Sequence, residues 1–291
     1  MLSDKEPKPS SDVIRRIFQI DRLAAMPHVI WEIMNALNRE DTTPARVRQI
    51  IEQDLALSTK VLSLANSAHY GLPQKITTIE RAVVIIGFQE LSFLAMSAGL
   101  ADFFDIRKVP ARFDGEGLWV HSLAVSWVAK ELATSARHPD PGGIMIAGLL
   151  HDLGKLVLAT HLPDLMEKIL DLVESRLLTY YQAEQEAGLP HSLVGYWLAR
   201  SWGLPDMISQ VIRDHHAVSG GESCPEAASM VALADALIRS LQIGLVDEAP
   251  PLDDIRVIET AGLNLDDYKQ VAMAAETKIS PMVDVWRAML G

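Results

Sequence analysis

The stretch Ala147-Gly-Leu-Leu-His151-Asp152-Leu-Gly-Lys155 ends an apolar run of helical character with an adjacent imidazole and carboxylate. Divalent metals of hard and borderline character accept both nitrogen and oxygen ligands, so one ion can bind His151 and Asp152 together. A single His-Asp pair is weak evidence for a metal. The residues on either side of the pair therefore decide its interpretation.

An ordered series of histidines and one further aspartate surrounds this pair. Asp235 lies in an apolar helical stretch, where an unpaired charge is costly and a metal or a protonated histidine would serve as its partner. Five imidazoles and two carboxylates exceed the three or four protein ligands that one ion commonly takes, so we expect two divalent ions. The predicted ligands are His121, His151, Asp152, His191, His215, His216 and Asp235.

Apolar residues recur with a helical period along almost the whole chain, and alternating runs of strand type are scarce. Thr43 before Pro44 predicts a helix cap followed by proline in the first turn. Thr77 with Glu80 three residues later predicts a capping box. We interpret the short apolar run 83–86 as helix interior. The sequence therefore predicts an all-α protein with negligible sheet.

Composition divides the chain into three regions. Residues 1–12 are polar and proline-rich and are predicted to be a flexible leader. The segment 105–117 carries two glycines, one proline and mixed charge, and it is the candidate boundary between two helical subdomains. We therefore assign an N-terminal helical subdomain to 13–110 and a second helical subdomain, with further C-terminal helices, to 111–291.

Charge and cysteine content exclude several classes of protein. The chain of 291 residues has 38 acidic and 26 basic side chains, and this acidic excess disfavours binding to nucleic acid through phosphates. The single cysteine, Cys224, excludes an intrachain disulfide and suits a reducing compartment. Charges and glycines interrupt the apolar stretches well before the roughly 20 residues that span a bilayer. We expect a cytoplasmic protein without a membrane partner.

The spacing of the predicted ligands resembles that of the HD superfamily of metal-dependent phosphohydrolases. The series His121, His151-Asp152 and Asp235 is similar to the ligands that hold the metal in that superfamily, while His191 and the 215–216 pair match the extra ligands of its two-metal branch. That branch includes cyclic-di-GMP phosphodiesterases of the HD-GYP type. The resemblance implies an HD-type helical bundle in which Asp152 bridges two ions. It also implies that Lys155, in a hydrolase, would contact the leaving or non-bridging oxygens of a phosphoester.

A second resemblance covers more of the chain, from about Leu23 to about Val218. The stretch Gln53-Asp-Leu-Ala-Leu-Ser-Thr-Lys-Val-Leu-Ser-Leu-Ala-Asn-Ser-Ala-His-Tyr-Gly71, followed by Ile76-Thr-Thr-Ile-Glu-Arg-Ala82, resembles the signature of the HDOD domain. HDOD domains are HD relatives found in bacterial signalling proteins, and they are regarded as regulatory. Many of them lack metal ligands, whereas this chain keeps the full two-metal set.

The chain also departs from the phosphodiesterase pattern. Ala217 follows the histidine pair where that family has Glu, and the Asp-Gly…Gly-Tyr-Pro stretch is absent. Gly117 lies one helical turn before His121, where some relatives place a further Glu ligand. The favoured function is therefore a metal-binding, non-catalytic signalling module that acts through another signalling protein. The alternatives are a metal-dependent phosphohydrolase with a nucleotide, cyclic nucleotide or other phosphate ligand, and a scaffold with vestigial histidines.

Two points stay open at the level of sequence. Asn66, Ser67 and Tyr70 form either a surface for a small ligand or partner, or a set of packing residues that tie neighbouring helices together. Metal identity is open as well, because imidazole with carboxylate suits Fe, Mn, Zn, Ni and Co alike.

Overall fold

The computed structural model describes residues 26–37, 41–67, 72–104, 109–217, 225–245 and 255–290. Every regular element in these ranges is a helix, so the prediction of an all-α protein is confirmed. The predicted leader 1–12 lies outside the described residues, as do Tyr70 and Cys224.

In the part of the chain that the structure describes, five helices precede the predicted boundary and ten follow it. The first five pack mainly on one another, and the longest of them, the fifth, is buried along most of its length. Their ranges are α1 (His28–Leu37), α2 (Pro44–Glu52), α3 (Leu55–Ala65), α4 (Ile79–Ile86) and α5 (Phe88–Phe104).

Ten helices follow the boundary. The sixth helix is buried over most of its length and packs against the seventh, thirteenth and fifteenth. Their ranges are α6 (Gly115–Ser135), α7 (Pro141–Leu150), α8 (Leu153–His161), α9 (Pro163–Arg176), α10 (Tyr180–Ala187), α11 (His191–Ser201), α12 (Asp206–Asp214), α13 (Glu226–Ser240), α14 (Ile255–Thr260) and α15 (Leu265–Leu290).

The helix starts follow the expected capping chemistry with one correction. Thr43 caps α2, its hydroxyl accepting from the Arg46 N–H, and Pro44 follows in the first turn as predicted. At α4 the cap is Thr78 and not Thr77. The backbone of Thr78 is extended directly before the helix, and its hydroxyl accepts the N–H of Arg81 at 3.2 Å. Thr77 lies one residue further from Arg81, beyond the spacing at which an N-cap side chain makes this hydrogen bond. The run 83–86 lies inside α4, as predicted.

One continuous hydrophobic core runs through both sets of helices. Helix α5 contacts α7 and α8, and the long C-terminal helix α15 packs on α6 while also touching α3 and α5. The division at 110/111 stays a prediction. Among the described residues, side chains from helices before and after this position pack together in the same core.

One stretch, Pro141–His161, is long and apolar enough to cross a membrane by length and composition alone. In the fold it is split into α7 and α8 by a turn at His151 and Asp152, and 94% of its apolar window is buried inside the protein. Residues 147–155, with the His151-Asp152 pair, are therefore buried inside the fold.

Candidate metal centre

His151 and Asp152 form the turn between α7 and α8, and both side chains are buried. Asp152 stands at the N-cap position of α8, yet its carboxylate makes no capping hydrogen bond. A carboxylate at a helix start ordinarily bonds to a free backbone N–H of the first turn. That of Asp152 is instead directed toward other side chains of the centre.

The first cluster of donor atoms, which we call the three-donor group, consists of His121 on α6, His151 and Asp235 on α13. One donor atom from each lies within 4.8 Å of the others. The Nε2 atom of His121 is 2.9 Å from Asp235 Oδ1, and the Nε2 atom of His151 is 3.9 Å from the same oxygen. All three side chains are buried.

The second cluster, the four-donor group, consists of Asp152, His191, His215 and His216. His191 is the first residue of α11, and the histidine pair follows the end of α12. His191 Nε2 lies 2.9 Å from Asp152 Oδ1, 3.3 Å from His215 Nε2 and 3.2 Å from His216 Nε2. The ring of Tyr181 stacks on His216 from outside at 4.2 Å.

Asp152 belongs to both clusters. Its Oδ1 atom faces His191, while its Oδ2 atom lies 3.3 Å from His151 Nε2. One carboxylate with an oxygen toward each group has the placement that a bridging ligand requires.

Backbone and carboxylate acceptors orient three of the imidazoles. The Nδ1 atoms of His151 and His215 lie 2.8 and 2.9 Å from the carbonyl oxygens of Gly148 and Ile212, each three residues earlier. His191 Nδ1 lies 2.5 Å from the carboxylate of Glu184. These partners assign a proton to Nδ1 of each ring. A neutral ring then turns the electron pair of its Nε2 atom into the centre, as metal-binding histidines do.

Unsatisfied buried atoms test whether a metal fits these donors. Buried polar atoms are ordinarily hydrogen-bonded, yet His151 Nε2 and Asp152 Oδ1 are buried without a hydrogen bond. When both rings are neutral, the Nε2 electron pairs of His191 and His215 face each other, because each ring donates from Nδ1. A cation between such electron pairs removes the repulsion, so the buried groups suit a divalent metal ion.

The charges of the centre shift several pKa values in the absence of metal. Burial alone would raise the pKa of Asp152, but the neighbouring His151 imidazole and Lys155 ammonium outweigh it and hold that pKa well below the usual value. Burial tends to lower the pKa of His191, yet the Glu184 carboxylate raises it to about 9. Burial and the neighbouring imidazoles lower the pKa of His215 well below its usual value. The carboxylate of Asp152 is thus ionised at neutral pH.

The comparisons with known proteins agree with this arrangement. The family profile described as HDOD domain matches residues 23–218, about two thirds of the chain. The chain belongs to the HDOD family. Its predicted HD-type helical bundle is confirmed by solved relatives. An HDOD domain protein of unknown function from Geobacter sulfurreducens is 25% identical, with a TM-score of 0.72 and coverage of 96% of this chain and 98% of that one.

Two other relatives define how far the similarity extends. A protein from Shewanella amazonensis, provisionally named a phosphohydrolase, shares the fold with a TM-score of 0.72 at 23% identity, covering 97% of this chain and 98% of that one. An uncharacterized protein of Treponema pallidum is 27% identical over 266 residues, which are 89% of this chain and 49% of that protein. This HDOD chain therefore spans about half the length of its Treponema relative.

Sequence reasoning missed two charged side chains of the centre. Glu184 on α10 is fully buried and accepts both the backbone N–H and the Nδ1–H of His191. Arg239 donates to Asp235 Oδ2. The i,i+4 spacing of Asp235 and Arg239 on one helix could have revealed the second pair. The pairing of Glu184 with His191 depends on the path of the turn at 188–190, and no spacing rule predicts that pairing.

A glycine brings the two halves of the four-donor group together. A Cβ atom on Gly154 would lie 1.9 Å from the carbonyl oxygen of His191 and 2.9 Å from the N atom of Gly195. Only a glycine allows the backbones of α8 and α11 to approach this closely. The contact places His191 opposite Asp152.

Lys155, named above for a role in a hydrolase, points into the protein. Its Nζ atom donates to Asp152 Oδ2 at 2.8 Å and lies 5.3 Å from the centroid of the Tyr180 ring. The side chain is buried. In this conformation its charge balances the carboxylate of Asp152.

The HDOD signature residues in the N-terminal half lie apart from the metal centre. The side chain of Asn66 makes hydrogen bonds to three backbone groups. Its Nδ2 atom donates to the carbonyl oxygens of Leu62 and Ile76, and its Oδ1 atom accepts the N–H of Ile76. Both hydrogen bonds to Ile76 are 2.7 Å long. The Ser67 hydroxyl is buried without a hydrogen bond. The contacts of Asn66 favour the packing interpretation, while Tyr70 lies outside the described residues.

Proposed function

We propose that this HDOD chain is a bacterial signalling or regulatory module that binds divalent metal and acts through a partner protein without catalytic turnover. The supporting observation is the enclosure of the donor atoms. The side chains of His151 and His191 are fully buried, and Asp152 is 3% exposed. Structural metal sites have closed coordination, whereas catalytic sites keep a position open for water or substrate.

The position of Lys155 supports the same proposal. A lysine that handles phosphate must present its ammonium to the substrate, whereas Lys155 is buried against Asp152. Moving it to a phosphoester would break the buried ion pair between its ammonium and Asp152 Oδ2, which is costly.

The proposed partner is another signalling protein that contacts the N-terminal helices. Trp31 on α1 is 48% exposed, and Val84 and Ile85 on α4 expose neighbouring apolar side chains. Large apolar side chains exposed on these helices offer apolar surface to a protein partner. The single cysteine fits a reducing compartment such as the cytoplasm, where we place this module.

Metal analysis and a turnover assay test the proposal together. We expect the purified protein to retain divalent metal and the double variant His151→Ala/Asp152→Ala to lose it. Metal-loaded protein incubated with cyclic-di-GMP and a panel of nucleotides should give no turnover. If the double variant carries as much metal as the parent, the site is placed wrongly. Turnover of about 1 s⁻¹ or more, abolished by His151→Ala, would replace the proposal by an enzyme.

The alternative is a metal-dependent phosphohydrolase, and the placement of Asp152 between two donor groups favours it. In two-metal hydrolases the ions supply an activated water and stabilise the charge on the phosphoryl oxygens. In this chain the two groups would hold the metal, and Lys155 would have to leave Asp152 to reach a phosphate oxygen. The same turnover assay separates the two functions.

A further inference from the structure

Two protein cations already bond the carboxylates on the side of the three-donor group. The guanidinium of Arg239 donates to Asp235 Oδ2, and its side chain is only 14% exposed. Lys155 Nζ bonds Asp152 Oδ2 at 2.8 Å, the oxygen that faces His151. The carboxylates of Asp235 and Asp152 are therefore each bonded to a positively charged side chain before any metal ion binds.

The four-donor group has the opposite electrostatic character. Its carboxylate oxygen, Asp152 Oδ1, faces the imidazoles of His191 and His215, which supply electron pairs when they are neutral. Behind His191 lies the buried carboxylate of Glu184, which adds a negative charge outside the donor set. A divalent ion is attracted most strongly to this side of the centre.

The total charge of the centre sets a limit on its metal content. Among the described residues bonded within the centre, three carboxylates and two cations leave one net negative charge when the imidazoles are neutral. One divalent ion changes this to one positive charge, and a second would leave three positive charges in the interior. Uncompensated buried charge is strongly unfavourable, so the second ion binds against a large electrostatic cost.

The Asp114 carboxylate, at the N-terminal end of the helix that carries His121, is engaged in capping α6. Its Oδ1 atom accepts the Gly117 N–H at 2.7 Å, and a Cβ atom on Gly117 would collide with its other oxygen. Gly244 packs its backbone against the same turn, since a Cβ there would lie 2.4 Å from the Gly117 carbonyl and 2.6 Å from the His121 N atom. The Asp114 carboxylate and the backbone of Gly244 therefore fill the place of the Glu ligand of some relatives.

We infer that the two donor groups are unequal, and that Arg239 acts as an internal cation in place of a second tightly bound metal ion. The four-donor group takes one ion tightly, and the three-donor group takes a second ion weakly. This inference rests on the proposed metal binding. The expectation of two ions thereby becomes one tightly bound ion and a second ion whose binding the guanidinium of Arg239 keeps weak.

Titration of the metal-free protein with Co²⁺, followed by calorimetry and by visible absorption, tests the inference. The parent protein should bind one ion tightly and a second at least about tenfold more weakly. Arg239→Met keeps the length of the side chain and removes its charge, so the second ion should bind at least about tenfold more tightly. Arg46→Met, which removes an exposed arginine paired with Glu32 in the N-terminal half, is the matched control and should leave both affinities unchanged.

Two histidine variants provide a second measurement that does not depend on the folding of the Arg239 variant. His191→Ala should lose the tight ion, whereas His121→Ala should keep it, with circular dichroism confirming the helical content of both. Loss of the tight ion in His121→Ala overturns the inference, as do two equally tight ions in the parent protein. Absence of Co²⁺ binding in the parent overturns the proposed function itself, and this outcome is distinct from the other two.

Discussion

Glu184 shows how one residue outside the donor set can control the centre. Its Oε2 atom lies 3.0 Å from the His191 backbone N and 2.5 Å from His191 Nδ1, so one carboxylate fixes both the main chain and the ring. We expect Glu184→Gln to lower the affinity for the tightly bound metal ion about 10- to 100-fold, because the neutral amide polarises the imidazole less than the carboxylate does. Competition with a chromophoric chelator measures the change.

Glu186→Gln is the matched control for that experiment. Glu186 lies on the same helix, α10, and its carboxylate pairs with Arg176 at the surface. The control should retain the affinity of the parent protein. Equal affinities of the Glu184 variant and the parent would show that the carboxylate does not act on the metal.

The protonation of His191 determines how metal binding depends on pH. Despite burial, the Glu184 carboxylate raises the pKa of His191 to about 9 in the metal-free protein, so its Nε2 atom carries a proton at neutral pH. Such a raised pKa stabilises the metal-free fold fully below the usual value of 6.5, and this stabilisation is lost as pH rises through about 9. A metal ion must displace that proton.

Metal affinity should therefore increase about tenfold per pH unit from neutrality to about pH 9 and then level off. Calorimetry at pH 7 in buffers of different ionisation enthalpy should find about one proton released for each tight ion. An affinity that is flat between pH 7 and 9 would mean that His191 binds metal without losing a proton.

Residue types and spacing were sufficient to predict which donors come together, but not which charged side chains and backbone groups surround them. The seven predicted ligands lie in the two donor groups, and the ordered series of histidines and aspartates that predicts them is visible in the sequence. The partnership of Glu184 with His191 depends on the tertiary path of the turn between α10 and α11. Backbone contacts such as those of Gly117 and Gly244 are equally invisible in one sequence, since each glycine has several local explanations.

At the scale of helices, the contact between α8 and α11 sets the separation of the donors. We expect Gly154→Ala to lower the free energy of unfolding by at least about 2 kcal/mol. It should also lower the affinity for the tightly bound metal ion, because the added methyl group displaces the His191 backbone from Asp152. Urea unfolding of the metal-free protein measures the first effect, and Co²⁺ titration measures the second.

Gly142→Ala controls for the general effect of replacing a helical glycine. Gly142 lies in α7, and an added Cβ atom would be 3.7 Å from an Asp140 side-chain oxygen, an ordinary van der Waals contact. Alanine there should stabilise the protein by up to about 1 kcal/mol and leave metal binding unchanged. Equal effects of the two substitutions would refute a special role for the close approach at Gly154.

The helix caps show the same division between what a sequence predicts and what only a structure shows. Thr43 followed by Pro44 leaves one sensible start for α2, and that prediction is confirmed. The adjacent threonines 77 and 78 offer two starts for α4 that differ by one residue. The choice of Thr78 is fixed by the backbone, because Asn66 holds Ile76 in place two residues earlier.

At the scale of the whole molecule, the metal centre and the shared core connect the helices into one cooperative unit. The donors come from α6, α11 and α13, from the α7–α8 turn and from the end of α12. The hydrophobic core is continuous from the N-terminal helices to α15. Stabilising the centre should therefore stabilise both sets of helices together.

Differential scanning calorimetry with and without metal tests this coupling. An ion that binds only the folded state contributes about 2.7 kcal/mol at a free concentration 100 times its Kd, which for a chain of 291 residues corresponds to a rise in Tm of about 4 °C. We expect one unfolding transition that shifts as a whole on addition of Co²⁺, and no shift for His191→Ala, which loses a donor of the tight site. Two transitions, only one of which responds to metal, would show that the N-terminal helices unfold independently of the centre despite the core that they share.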